Sequence, residues 1–412
     1  MKKGRRVVVT GMGLRSPIGA GLADFSHGLQ SNACGIYSMP DWEKIDKLRT
    51  RLAGRCPEAQ VNEMDLPRKH RRGMGRIGVL AALATKDAIA DSGLKESLIS
   101  SKACGISYGS TAGSSSAMEE FLKKVFERSS IKGSKSTSYL KFMSHTCAAN
   151  LGIMFGSKGP LIASCTACTS GSQAIGFGFQ TIKEGRADIM LTGGAEENHY
   201  MNAVVFDIML ATSSKYNDRP DQSPRPFDVD RDGLVVSEGA GTLVLEEYGH
   251  AKRRGADIHA EILGYATNCD GAHLTSPDPA GIESVMKLAL DDAGLDKGKI
   301  QYLCAHATAT PLGDVAESRA LFTLFGGQIP VSSLKGHMGH TLGACGALES
   351  IATILMIKEG FLAPTRNLET VDPELAPLDY VKDDPRSINI AIAMNNNFAF
   401  GGINTSLIFR KI

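Results

Sequence analysis

Two stretches of the chain, some 200 positions apart, carry nearly the same pattern of apolar and polar positions. Ala88-Ile89-Ala90-Asp91-Ser92-Gly93-Leu94 closes one alanine-rich helical run, and Ala289-Leu290-Asp291-Asp292-Ala293-Gly294-Leu295 closes another. In each, glycine stands where a helix would end in a left-handed cap. A short apolar run follows each cap, residues 104–108 in the first case and 300–304 in the second. Runs of this length bounded by small residues predict buried strands. The echo continues in Ile182-Lys183-Glu184-Gly185 and Ile357-Lys358-Glu359-Gly360, which close two later helices. Residues 239–245 and 401–409 each read as a glycine turn leading into a strand.

Helices alternating with apolar strands predict α/β layers. The duplicated order predicts two similar halves, residues 1–254 and 255–412, with the boundary near 250–258. A site shared between the halves would draw side chains from both. The basic opening, Met1-Lys2-Lys3-Gly4-Arg5-Arg6, reads as a tail ahead of a strand begun by Val7-Val8-Val9. Thr10, Gly11 and Gly13 break the apolar run and no small-residue cleavage site follows, so a signal peptide is not expected. Gly11-Met12-Gly13 resembles the start of a dinucleotide loop, but the third glycine is missing and Pro17 follows. It is read instead as a turn after the first strand.

Composition narrows the class. With 412 residues, 42% hydrophobic and 22% charged, the chain suits a soluble enzyme with one large core or two fused ones. A formal charge of only +1 supplies no field for nucleic acid. No apolar stretch is long enough to span a bilayer, and a cytoplasmic enzyme is expected. The run Arg68, Lys69, Arg71 and Arg72 stands out as either a solvated helix face or a docking surface for an acidic protein. Nine scattered cysteines do not form a disulfide framework. Cys104, Cys304 and Cys345 read as small buried hydrophobes.

Cys168 is different. Residues 160–165 are strand-like and residues 169–175 open a helix, so Cys168 falls at the junction. Unpaired N–H groups and the positive end of a helix dipole favour a thiolate there, and thiolates are good nucleophiles for acyl transfer. A packed cysteine under a strand end is the alternative. His306 follows the second-half strand that ends at Cys304, and His340 precedes the second-half helix. The internal repeat brings both loops to the pocket of Cys168. Two other readings stay open at this level. Cys165 and Cys168 with His337 and His340 could be four zinc ligands, and the cysteine pair could be a redox site.

The motifs Thr166-Ala167-Cys168-Thr169-Ser170-Gly171, the loop from His306 to Asp314, and Lys335-x-x-x-Gly339-His340 add specificity. So do Arg225-Pro226-Phe227-Asp228, Arg231-Asp232-Gly233 and Phe398-Ala399-Phe400-Gly401-Gly402. Through them essentially the whole chain resembles the elongating type I/II β-ketoacyl-carrier-protein synthases of the thiolase superfamily, most nearly type II. The resemblance implies a duplicated thiolase-like fold, layered α/β/α/β/α, and decarboxylative condensation of malonyl carrier protein with an acyl chain. It implies that Cys168 takes the acyl chain as a thioester and that His306 and His340 stabilise the enolate. Lys335 would support His340, with Glu349 as its counter-ion. The N–H groups of Cys168 and Phe400 would form the oxyanion hole, with Phe400 and Phe398 at the gate. Thr308 and Thr310 would hold phosphopantetheine, and Ala112 would set the depth of the acyl pocket.

The resemblance implies no metal and no cofactor, because the substrates ride on the phosphopantetheine of acyl carrier protein. It implies a homodimer, with a heterodimer of related ketosynthase-like subunits as the alternative. The chain departs from the family pattern at Ala307, Ala309, Ala399 and Ile403, and at Gly336, His337 and Met338. Alanine at 399 is expected to stiffen the gate relative to glycine. These departures leave fatty-acid elongation and a specialised polyene or polyketide pathway both open. A catalytic subunit that needs a chain-length-factor-like partner, or a non-catalytic partner subunit, is the competing reading. A thiolase, which would put a second cysteine in place of one histidine, fits less well.

Overall fold

The computed structural model describes residues 4–412, so the first three residues of the basic tail lie outside it. The first half contributes strands β1 (Val7–Ser16), β2 (Cys104–Gly109), β3 (Leu161–Ser164), β4 (Ile189–Glu196) and β5 (Gly239–Glu247). The second contributes β6 (Ala260–Cys269), β7 (Tyr302–Cys304), β8 (Pro330–Ser332), β9 (Asp379–Tyr380), β10 (Ile392–Phe398) and β11 (Ile403–Arg410). They lie in the order β9-β8-β7-β10-β11-β6-β1-β5-β4-β2-β3. Read outward from the seam, β1-β5-β4-β2-β3 and β6-β11-β10-β7-β8 repeat one topology. In both, the two connections nearest the seam are antiparallel and the outer two parallel. At the seam β1 runs antiparallel to β6, with Val8 opposite Glu261.

The helices explain the layering. Outer helix α1 (Arg76–Ser92) is buried from Ile77 to Thr85 and is exposed only in its last turns, at Lys86, Ala90 and Asp91. Helices α2 (Ser170–Lys183) and, after α3 (Pro279–Ala293) and α4 (Pro311–Phe325), α5 (Cys345–Glu359) are different. Every residue from Cys345 to Ile357 is buried, so α5 is covered on all sides. With α2 it forms the middle layer, and the α/β/α/β/α arrangement follows. Gly93 and Gly294 close α1 and α3 at φ 64° and 62°, the left-handed caps expected from the sequence.

Gly11 and Gly13 correct one expectation. Strand β1 continues through them to Ser16, so they make no turn. A Cβ at either would lie 2.3 Å from a carbonyl oxygen of α1, Ala88 for Gly11 and Ala84 for Gly13. The glycines are there to let the helix backbone approach the strand.

The echoed lysines brace one half against the other. Lys183 at the end of α2 reaches Asp292 of α3, Nζ to Oδ1 2.6 Å. Lys358 at the end of α5 reaches His259 Nδ1 at 3.2 Å, and His259 Nε2 meets Asp91 of α1 at 2.8 Å. No helix among the described residues is long and apolar enough to cross a membrane.

Candidate active site

Cys168 sits in a single tight turn, residues Ala167–Thr169, between β3 and α2. Ala167 adopts φ 49°, a conformation that costs a non-glycine residue of order 1–3 kcal/mol unless its surroundings hold it. Hydroxyl groups hold it. Ser170 Oγ accepts from the Thr166 N–H at 2.9 Å and donates to the Ala167 carbonyl at 2.7 Å. Thr169 Oγ1 donates to the Thr166 carbonyl at 2.7 Å. The Thr- and Ser-rich sequence around the cysteine is therefore a set of turn clamps. The same turn recurs before α5, where Leu342–Ala344 carries Leu342 at φ 47° and Gly343 in the place of Cys168.

The second half supplies the histidines. His306 follows β7, and its loop is pinned because the N–H groups of His306 and Ala307 donate to the Glu317 carboxylate at 2.8 and 2.6 Å. Burial pushes the Glu317 carboxyl up to about 8 and that of Asp314, which anchors the Ala309 N–H, up to about 6. His340 is held by its backbone, its N–H donating to Val235 and its carbonyl accepting from Ser237. His340 Nε2 lies 2.9 Å from Cys168 Sγ. The His306 and His340 rings stand nearly perpendicular, centroids 5.1 Å apart. Burial foremost, then the charge of Lys335, drives both histidines well below their ordinary pKa, so both are neutral.

Lys335 Nζ is 2.6 Å from Glu349 Oε1, and both side chains are fully buried. Burial alone would lower the lysine's pKa, but Glu349 more than offsets this, so the ammonium persists. The opposite holds at Cys168. Burial pushes its thiol up to about 12, and Lys335 recovers only part of the cost. The thiolate expected from the helix start is thus not the resting form, because desolvation outweighs the nearby positive charge. The resting group at Cys168 is a thiol in contact with a neutral imidazole.

A cavity of about 310 Å³ opens over this group. Cys168, His306 and His340 lie on it, Thr308 and Thr310 line one side, and Phe398 and Phe400 line another. Phe206, Met209, Leu210 and Leu274 make much of the rest apolar. Phe400 packs on Phe206 with centroids 5.5 Å apart, and the next N–H, of Gly401, donates to Leu274 at 2.8 Å. Positive φ in the gate falls on Gly401 and Gly402, not on Ala399, so alanine at 399 sits without backbone strain. Ala112 does not line this cavity. It lies by Thr111, whose N–H and hydroxyl bind Glu196. The pocket-depth role given to Ala112 has no support in the cavity as it stands.

The four-ligand zinc reading fails on geometry. Both ring nitrogens of His337 are engaged by the Ala33 and Pro364 carbonyls, and the exposed Cys165 thiol faces the Thr111 carbonyl. Cys165 and Cys168 also turn to different partners, which removes the case for a redox pair. The donor atoms that do converge are those of Cys168, His306 and His340, mutually within 4.8 Å, a set able to hold a soft cation. Sequence reasoning missed Glu317, Cys345 and Asn397. Cys345 Sγ donates to the Cys168 carbonyl at 3.1 Å. Asn397 Nδ2 donates to Glu349 Oε2 at 2.6 Å. The one available signal was the run Asn395-Asn396-Asn397 inside a strand buried on both faces.

Of the basic run, Arg68, Lys69 and Arg72 are exposed, while Arg71 pairs with Glu63 at 3.4 Å. Arg68 and Arg72 line a cleft of about 740 Å³ together with Lys124, Lys135 and Lys141.

Comparison with known proteins follows the same division. Residues 4–251 match the family described as beta-ketoacyl synthase, N-terminal domain, and residues 259–369 its C-terminal domain. The chain is 35% identical over 408 residues to 3-oxoacyl-[acyl-carrier-protein] synthase 1 of Haemophilus influenzae, covering 99% of each. Its structure is similar to that of a beta-ketoacyl synthase from Burkholderia phymatum STM815, with TM-score 0.96 and 47% identity over 99% of this chain and all of that one. It is also similar to the ishigamide ketosynthase/chain length factor, with TM-score 0.92 and 32% identity over the whole of both.

Proposed function

The chain belongs to the β-ketoacyl synthase family, acyltransferases of the 3-oxoacyl-[acyl-carrier-protein] synthase type with the thiolase-like fold, and from that premise we propose how its own residues divide the reaction. The observation that carries the reading is the 2.9 Å contact between the Cys168 thiol and His340 Nε2 at the floor of an apolar cavity. In the first half-reaction Cys168 Sγ attacks the acyl thioester of the carrier protein. The C–S bond to the carrier breaks, and the thiol proton passes through His340 to the departing carrier thiol. The Cys168 and Phe400 N–H groups stabilise the tetrahedral oxyanion. The Phe400 N–H is free for this role, since it donates to no backbone carbonyl among the described residues.

In the second half-reaction malonyl carrier protein loses carbon dioxide. Its carbanion equivalent attacks the Cys168 thioester, a C–C bond forms, and the thiolate leaves and takes up a proton. His306 and His340 donate to the thioester oxygen that carries the enolate charge. Both Nδ1 atoms are buried without partners, so neither tautomer is locked. His340 Nε2 is thereby free to face the thiol in one step and the malonyl oxygen in the next. Burial and then the charge of Lys335 hold His340 neutral, and Glu349 keeps that lysine in place at the floor. Thr308 and Thr310 hold phosphopantetheine. Once decarboxylation supplies the carbanion, no step requires a metal or redox group.

The physiological role we infer is chain elongation in a cytoplasmic fatty-acid or polyene/polyketide pathway, by two thiolase-like halves divided at residues 254/255. The second reading is a ketosynthase subunit that works only beside a chain-length-factor-like partner, favoured by the likeness to the ishigamide pair. Either form pairs subunits, and the exposed apolar residues Leu161 on edge strand β3 and Ile153 on the helix packed against it suit that contact. The test is mass spectrometry of products from malonyl carrier protein and a panel of acyl carrier proteins, with a chelator present throughout. Acylation at Cys168 and a two-carbon extension are expected from the chain alone. Loss of activity to the chelator, or no acyl-Cys168, overturns the catalytic reading. Acyl-Cys168 without extension favours the partner-dependent one.

The carrier protein is acidic, and the proposed docking surface is the basic cleft of Arg68, Arg72, Lys124, Lys135 and Lys141, with Lys69 beside it. Reversing Arg68 and Arg72 to glutamate is expected to slow association and flatten its salt dependence. Unchanged stopped-flow kinetics would put docking elsewhere. For Ala112, replacement by phenylalanine is expected to shorten products if the acyl chain threads behind the nucleophile. An unchanged chain-length distribution assigns the chain to the apolar mouth cavity instead.

A further inference from the structure

Cys345 and Asn397 belong to no step described so far, yet they join the two charged and reactive parts of the site. Cys345 is the first residue of α5 and is buried. Its thiol donates to the carbonyl of Cys168 at 3.1 Å. Asn397, near the end of β10, points its amide nitrogen at the Cys345 sulfur at 3.6 Å and at Glu349 Oε2 at 2.6 Å. Glu349 Oε1 in turn holds Lys335. A continuous buried path therefore runs from Lys335 through Glu349, Asn397 and Cys345 to the backbone of the nucleophile. Donor atoms of Cys345, His306 and Glu349 also lie within 4.8 Å of one another, so the path forms part of the wall behind His306.

We infer that Cys345 and Asn397 are positioning residues for Cys168: the donated S–H bond fixes the peptide of the nucleophile, and Asn397 fixes that thiol by way of the Lys335–Glu349 pair. The chemistry supports the direction of the bonds. Asn397 donates to the sulfur, so the sulfur's own proton is left to point at the Cys168 carbonyl. Two influences favour ionisation of Cys168, the charge of Lys335 and the N–H of Cys168 itself. The first depends on where the Cys168 peptide stands relative to Lys335, the second on how the thiol is turned over its own peptide. The strained Ala167 next to it is held by the Ser170 and Thr169 hydroxyl groups from its own turn, and the Cys345 bond adds a fastening from the other half.

The inference rests on the reading of Cys168 as the acyl acceptor, and the experiment separates the two. Wild type, Cys345→Ala, Cys345→Ser and Asn397→Ser are compared in three measurements. These are acyl-enzyme formation from acyl carrier protein, the pH profile of iodoacetamide labelling on the Cys168 peptide by mass spectrometry, and KM for malonyl carrier protein. For Cys345→Ala, Cys168 acylation should fall about 10-fold, as for one lost hydrogen bond, with the labelling profile moved to higher pH and KM nearly unchanged. Cys345→Ser, which keeps a donor at the same place, should recover most of the rate. Asn397→Ser should shift the profile in the same direction as Cys345→Ala. A Cys345→Ala enzyme with the wild-type profile and rate overturns the inference alone. So does equal impairment of the Ala and Ser variants at unchanged melting temperature, which would make sulfur packing the cause. A wild-type enzyme that takes no acyl group at Cys168 removes the parent reading as well.

Discussion

Replacing His340 with alanine is expected to cut carbon dioxide release from malonyl carrier protein by roughly 100- to 1000-fold, the usual cost of one missing oxyanion-type donor. Acylation of Cys168 should survive, at a reduced rate, because the imidazole 2.9 Å from the thiol is also its nearest proton acceptor. His306→Ala should separate the half-reactions more cleanly, since the thiol's hydrogen-bond partner is His340. The converse variant, Cys168→Gln, should form no acyl-enzyme while still releasing carbon dioxide, its amide standing in for the acylated cysteine. Acyl-enzyme formation and carbon dioxide release, followed side by side in the three variants, decide the matter. Wild-type carbon dioxide release from His340→Ala would mean that this histidine does not face the enolate.

The largest expected effect on stability is at Lys335. Lys335→Met leaves Glu349 as a buried charge with only Asn397 beside it, which should cost about 3–5 kcal/mol. The pH dependence follows from the signs. In the wild type the lysine is held above its ordinary value, so its contribution is complete below about 10.4 and is lost only at higher pH. In the variant the remaining titrating group is Glu349, an acid already raised by burial. A raised acid is tolerated when protonated, so the variant should lose stability as pH rises above about 4.3, the ordinary glutamate value. Urea unfolding of both proteins at pH 5 and pH 8 should show the gap widening at pH 8. A second change, Glu349→Leu, should recover much of the stability and none of the condensation. Equal unfolding midpoints for wild type and Lys335→Met at pH 8 would show that the ion pair is not the buried anchor described above.

Much of this molecule is legible in local sequence signals. Glycine caps at 93 and 294 and the strand-to-helix junction at Cys168 are decided within a few residues, and the internal repeat carried the histidine loops to the same pocket. What stayed hidden depends on contacts across long separations. The thiol at Cys168 looks activated from its helix start, but its protonation is set by burial, which no local pattern reveals. Gly11 and Gly13 look like a turn until α1 is laid across them. Cys345 looks like a packed hydrophobe because its partners, Cys168 and Asn397, are 177 and 52 residues away in sequence. Ala112 was placed by resemblance alone, and the cavity at Cys168 does not include it.

The glycine that stands for Cys168 in the second half has a consequence for how such a chain can diversify. A Cβ at Gly343 would lie 2.8 Å from Ser110 Cα and from the Thr111 nitrogen, both fixed backbone. No cysteine fits there unless the first half moves, so the two copies of the turn cannot exchange roles. On the proposed chemistry, one copy carries the acyl group and the other packs against the first half. With Cys168 as the proposed acyl acceptor, each chain is expected to load a single acyl group, since the packing at Gly343 leaves no place for a second cysteine. A chain that lost Cys168 would keep at most the decarboxylation expected of Cys168→Gln, because Gly343 cannot become a cysteine without a shift of the Ser110 and Thr111 backbone.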